Sequence, residues 1–351
     1  MQVAVVSGGK DYRCHGTAPG IYTRLDDPEV LNWILKVAFR RSFGHKILVA
    51  TGYPQDIGQK TAIIDVISGE YCRLPDFPIS LTGGIGGILG GVPMICGGLS
   101  KQGMVKDCFT LAGRGWHKVQ QLETGRSYMG GGNVVINGSL LVSGGYKDSR
   151  LNSTLLINDY SGTESIADLP IGISGHCNVM LNSTHYMVIG GSDDLVTSKL
   201  ETIIFDILDE KWIDGPSMIE KRWNHGCSQV MLAGKPIIWA TGGFDENRQA
   251  LRSTEYLDLE ELNPAWKSGP DLPFSQVYHR MVTSEDSKSV YITGNKGSQN
   301  TGEILELVCS GTTADTCSFK AVPSNVKIER HSHVALTLSN DQASWLCDSF
   351  A

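Results

Sequence analysis

Cys227-Ser-Gln-Val-Met-Leu232, Ala233-Gly-Lys235, Pro236-Ile-Ile-Trp-Ala-Thr-Gly-Gly243: here two short apolar runs are joined by a small-residue turn, and the second stops at a diglycine. A polar loop from Asp245 to Arg252 follows, then Ser253-Thr-Glu-Tyr-Leu-Asp258, Trp266 and Pro270-Asp-Leu-Pro273. Short apolar runs bounded by turn residues read as antiparallel strands, lettered A to D here. The unit recurs. Equivalent steps stand at Thr51-Gly52, Gly97-Gly98, Gly144-Gly145, Gly190-Gly191, Gly242-Gly243 and Gly294-Asn295, and their second residues are 46, 47, 46, 52 and 52 residues apart. A steady period of that size marks a repeat architecture, because one unit cannot bury an apolar face alone and the copies must stack.

Composition agrees. Forty-one glycines and 19% charged residues argue against a helical solenoid, since glycine weakens a helix interior by roughly 1 kcal/mol relative to alanine. A net charge of −7 without a basic block speaks against a nucleic-acid or anionic-membrane partner. The longest apolar stretch, Ile85 to Cys96, is short and broken by glycine, so no membrane span is expected. The first residues, Met1-Gln-Val-Ala-Val-Val-Ser-Gly-Gly9, lack the charged region and apolar length of a secretory signal.

Several features recur in order: apolar strand, diglycine, polar loop, an aromatic as at Tyr256, and a later Trp as at Trp116, Trp212 and Trp266. Over about residues 46–351 this grammar is similar to the kelch repeat, and the resemblance implies an all-β propeller. The third copy departs from it with Glu164-Ser-Ile in place of the Trp. The sixth has Phe319 and Asn295, and the first has Tyr71 and a single glycine. The first copy opens at strand B, Lys46-Ile-Leu-Val-Ala50, with no strand A before it, while His331 to Leu338 reads as a spare strand A at the other end. The expected fold is therefore a six-bladed kelch β-propeller closed by a C-terminal strand, which leaves no exposed sheet edge at the seam. Glycines at 84, 86, 87 and 130–132 fit the crowded centre of such a ring. A phosphate loop is the competing reading, and no Lys-Ser, Lys-Thr or helix-opening Gly pattern follows them.

Residues 1–41 break the period. Tyr12-Arg-Cys-His-Gly16, Pro19-Gly-Ile-Tyr-Thr-Arg24 and Leu31-Asn-Trp-Ile34 resemble the C-terminal end of a trypsin-like serine protease. A strand and then a helix are expected, with Asp27 as cap, Pro28 in the first turn and Arg40-Arg41 at the end. The nucleophile motif of that family is absent, and no position matches its general base or the partner that orients it. The segment is thus expected to be a non-catalytic remnant. Either the protein carries it as such, or the chain is the C-terminal part of a secreted serine endopeptidase with a kelch appendage.

Nine cysteines leave at least one outside any internal pair. Cys96 with Cys108 and Cys309 with Cys317 each join neighbouring strands across a short loop and are disulfide candidates, with reduced buried thiols as the alternative. Cys177 and Cys227 sit at equivalent strand-A positions and are expected to be free core thiols, while Cys14, Cys72 and Cys347 have no assigned partner. The Cys-Gly-Gly arrangement at Cys96 resembles extracellular invertebrate kelch proteins. Sequons at Asn137, Asn152 and Asn182 fall on expected turns and give weak support to secretion. An extracellular location is expected, with a cytoplasmic kelch adaptor as the alternative.

No metal, cofactor or catalytic set stands out. His331 and His333 could ligate a metal but fit better as channel-end residues, and Asp193-Asp194 reads as a solvated loop. The loops from strand D to strand A and those after the diglycines carry Arg126, Tyr128, His176, Arg222, Trp223, His225, Phe244, Arg248, His279, Arg280 and Arg330. In kelch proteins these loops share one face. Arginines and aromatics there suit a protein or glycan ligand, while the structural alternative is that several of them hydrogen-bond between blades. The expectation is a monomeric, non-enzymatic binding module.

Overall fold

The computed structural model describes residues 45–158, 162–193, 198–294, 302–324 and 326–350. The protease-like segment with its expected strand and helix, Cys14 and Asn295 lie outside them.

Six four-stranded antiparallel sheets make the blades of an all-β propeller. Blade 1 consists of Val334–Leu338, Lys46–Ala50, Thr61–Asp65 and Tyr71–Leu74, so the C-terminal strand supplies strand A as expected. In that pairing Lys46 faces Leu338 and Ala50 faces Val334. Strand A of blades 2 to 6 is Ile85–Leu89, Val135–Ile136, Cys177–Asn182, Gly226–Leu232 and Arg280–Thr283. Second strands such as Lys46–Ala50 and His185–Ile189 are buried over four consecutive residues. Neighbouring sheets cover both of their faces, which is why the sequence shows continuous apolar runs and not alternation. Outer strands such as Tyr71–Leu74 return to an exposed pattern.

The diglycine has two causes. At Gly242 and Gly243 the backbone takes φ of 56° and 88°, a region that side chains disfavour. A Cβ on Gly243 would also stand 2.7 Å from the Cβ of His225, and one on Gly242 would meet the Gln276 carbonyl and, at 3.1 Å, the His279 ring. The recurring tryptophans tie blades together. Trp116, Trp212 and Trp266 donate their indole N–H to the carbonyls of Pro75, Asp168 and Pro216 in the preceding blade, at 3.2, 2.8 and 2.9 Å. Phe319, which replaces the Trp of blade 6, stands edge-on to buried Trp239 of blade 5.

All eight cysteines among the described residues are in disulfides. Cys96–Cys108 and Cys309–Cys317 form as expected, each between directly facing residues of adjacent strands. The expectation of free thiols at Cys177 and Cys227 is corrected: they form a disulfide between strands A of blades 4 and 5, with Cα atoms 6.0 Å apart. Innermost strands converge on the axis, so equivalent positions 50 residues apart in sequence become neighbours. The fourth bond joins Cys72 on the outer strand of blade 1 to Cys347. Cys347 lies on a helix the sequence reading did not anticipate, Asn340–Ser349, opened by a capping box in which Ser339 and Gln342 bond reciprocally. Ser339-Asn-Asp-Gln342 carries the signal for such a box, and Ala343 and Leu346 anchor the helix in the core beside blade 1.

Candidate functional site

Each loop from strand D to the next strand A places a residue with left-handed backbone at one equivalent position: Gly83, Tyr128, Gly175, Asn224, Tyr278 and Ser332, with φ from 50° to 68°. Their peptide groups form a closed ring about the axis. Gly83 donates to Ser332, Ser332 to Tyr278, Tyr278 to Asn224, Asn224 to Gly175, Gly175 to Tyr128 and Tyr128 to Gly83, at 2.7–2.9 Å. Every blade contributes one donor and one acceptor, so these inner backbone groups are satisfied without a sheet partner.

The next residue along is histidine in four blades: His176, His225, His279 and His333, all 0–2% exposed. Three of them pair through Nε2, at 2.9 Å, with the hydroxyl that ends strand B of the preceding blade: Ser143, Thr241 and Thr293 for His176, His279 and His333. In blade 4 that position is Ile189, and neither ring nitrogen of His225 has a partner among the described residues. Burial pushes His176 and His279 down to about 3. His225 and His333 also fall well below the usual imidazole range, through burial first and then through nearby cations such as Arg222 and Arg280. The layer is neutral at physiological pH.

The arginines of the loop face divide into two groups. Arg126 donates to the carbonyls of Gly144 and Ser153, Arg222 to those of Gly242 and Ser253, and Arg330 to those of Thr51 and Lys60. These are one position in three blades, used to staple the loop to the glycine step of its own blade. Arg222 is fully buried and also pairs with buried Glu255 at 2.7 Å. Arg248 is exposed on its loop. Arg280 differs from all of these. It sits on strand A of blade 6, its Nε donates to the His333 carbonyl at 2.9 Å, and its Nη1 lies 3.5 Å from where a Cβ on Gly131 of blade 3 would stand. The guanidinium therefore reaches across the axis toward the opposite blade. Burial lowers it to about 10, so it stays charged at neutral pH.

The aromatics come together. Ring centroids step from Tyr53 to His331 at 5.0 Å, to Tyr278 at 5.5 Å, to Phe244 at 5.6 Å and to Trp223 at 5.1 Å, with Tyr128 5.8 Å from Tyr278. Tyr53 is exposed; Trp223, Phe244, Tyr278 and Tyr128 are half-buried. This arc borders a small cavity on the axis, lined by Tyr128, Asn224, Tyr278 and Ser332 of the ring, by His176 and His225, and by Arg280. A second cavity of about 300 Å³ is lined by residues farther along the inner strands, including Gly87, Asn133, Met281 and Leu336. There the polar side chains serve the fold: Asn133 donates to Ala335, Thr283 to Gln229 and Thr337 to Thr283. Of these two cavities, the loop-face one presents polar groups without a protein partner among the described residues.

Sequence reasoning missed Tyr53, Asn224, Tyr278, Ser332 and Gly131. Asn224, Tyr278 and Ser332 could have been found by aligning the six D-to-A loops on the residue before each histidine. The sequon asparagines are exposed: Asn137 on the turn between strands A and B of blade 3, Asn152 on the loop before Thr154–Asn158, and Asn182 at the end of strand Cys177–Asn182. The side chain of Asn182 already accepts from the N–H and hydroxyl of Thr184. His331 and His333 are not brought together with other ligand types, and no group of three or more His, Cys, Asp or Glu suited to a metal occurs among the described residues.

No protein-family model matches the chain, and no curated protein matches it in sequence. Among solved structures, that of YjhT is similar, with a TM-score of 0.64 at 12% identity over 79% of this chain and 95% of YjhT. At that identity the likeness concerns the fold alone.

Proposed function

We propose that the chain is a kelch-type propeller of an extracellular, oxidising compartment that recognises a protein or glycan at its loop face without catalysing a reaction. The observation that carries this reading is the continuous aromatic arc at the axial mouth. Half-buried aromatic rings beside polar groups offer large contact area at little conformational cost, as binding surfaces commonly do. Four disulfides favour the oxidising compartment. The test is to profile the full chain on glycan and peptide arrays beside a Trp223→Ala/Phe244→Ala variant. Loss of about tenfold or more in affinity is expected for truncated aromatic anchors. A ligand that binds both proteins equally would place recognition elsewhere.

A further inference from the structure

We infer that the ligand of the loop face carries a carboxylate, which enters the axial mouth and is held from below by the Arg280 guanidinium. This inference rests on the proposed loop-face site and specifies what that site accepts. Among the described residues the only hydrogen bond of Arg280 is from Nε, so the four N–H groups of its two Nη atoms have no protein acceptor. No described carboxylate lies within 4.0 Å of it, whereas buried Arg222 has Glu255. A guanidinium drawn out of water gains strongly from an anion that its planar fork can grip with two parallel bonds. The fork lies at the backbone ring near Tyr128, and His225, which lines the same cavity, has two unpartnered ring nitrogens.

Size and charge select the anion. The space at the base of the cavity suits one small polar group, the tip of a ligand and not its body. One guanidinium amid neutral imidazoles balances one negative charge, which suits a carboxylate better than a phosphate dianion. The chain's net charge of −7 offers no long-range attraction, so selection must be made by this local contact.

The experiment titrates the full chain, by calorimetry or NMR, with two pairs of probes: glucuronate against glucose, and N-acetylglutamate against N-acetylglutamine. A charged member should bind at least about tenfold more tightly than its neutral twin, and Arg280→Gln should remove that difference. Which charged probe prevails tells whether a sugar or a peptide side chain is the carrier. Gly131→Asp is a second handle that leaves Arg280 in place. Its carboxylate would lie within reach of Nη1, occupy the fork from inside and abolish binding while the fold persists. Equal binding of charged and neutral twins, probe binding unchanged in Arg280→Gln, or inorganic phosphate bound as tightly as the carboxylates would each overturn the inference. An array ligand lost in Trp223→Ala/Phe244→Ala but indifferent to Arg280→Gln would leave the loop-face site standing and refute the carboxylate. Array ligands indifferent to both changes would refute the site itself.

Discussion

The layer of buried histidines should make the propeller acid-labile as the pH falls through the ordinary imidazole range. His176 and His279 hold folded values near 3 and His225 and His333 are also well depressed, against about 6.5 in an unfolded chain. Below 6.5 the unfolded chain takes up protons that the native layer refuses, so stability is complete above that value and falls as the pH drops. Between pH 7.5 and 5.5 each such histidine forfeits about 1.4 kcal/mol, and four forfeit roughly 5.5 kcal/mol. That is a large share of the roughly 5–15 kcal/mol that typical domains possess. Denaturant unfolding at pH 7.5, 6.5 and 5.5, with disulfides intact, measures it. Asp65, Asp76 and Asp286 are held below the usual carboxylate range and lose their contribution only at lower pH, so they do not blur the window. His225→Leu should remove about a quarter of the pH dependence and, by deleting two unpartnered nitrogens, cost no stability at pH 5.5. A total loss below about 1.4 kcal/mol over the two units would mean that the layer is protonated or wet in the native state, and the reasoning would fail.

Two further outcomes follow from buried pairs and cross-links. Arg222→Met should destabilise by about 3–5 kcal/mol because it leaves the Glu255 carboxylate buried without its cation; Arg126→Met, which only frees carbonyls, should cost about 1–3 kcal/mol in the same denaturation assay. Equal costs for the two would show that the Glu255 pair contributes nothing. Non-reducing peptide mapping should join Cys72 to Cys347 and Cys177 to Cys227. Cys72→Ala/Cys347→Ala should lower stability by about 2–5 kcal/mol, because that bond closes the longest loop in the unfolded chain. Free thiols at all four positions would remove the case for an oxidising compartment.

What could be read from the sequence was whatever repeats along it. The glycine steps, the apolar second strands and the missing first strand are periodic, and together they gave six blades and the closing strand at Val334–Leu338. Cross-strand disulfides within a blade were legible because their partners lie 8 and 12 residues apart. The Cys177–Cys227 bond was not, since it depends on how closely two inner strands approach the axis. Nor could composition separate Arg280 from Arg126, Arg222 and Arg330. Three of these arginines spend their donors on backbone carbonyls, and only the position of the fourth on strand A aims it across the channel. The arc from Tyr53 to Trp223 was legible only in part: Tyr128, Trp223 and Phe244 stood out as loop-face aromatics, while Tyr53 and Tyr278, which come from loops of other blades, did not.

The backbone of the ring argues for the same site independently of charge. All six ring positions take a left-handed conformation, and Gly83 and Gly175 show that glycine, the residue which occupies it freely, satisfies the ring. Tyr128, Asn224, Tyr278 and Ser332 adopt it with side chains attached. For L-residues this costs roughly 1–2 kcal/mol each, least for Asn. A side chain kept where its backbone is disfavoured must be useful in some other way, and strained positions of this kind gather where ligands bind. The four side chains are the ones that line the axial cavity above Arg280. The ring thus carries side chains at four positions where glycine would serve the backbone, and those four side chains, together with Gly175, border the cavity.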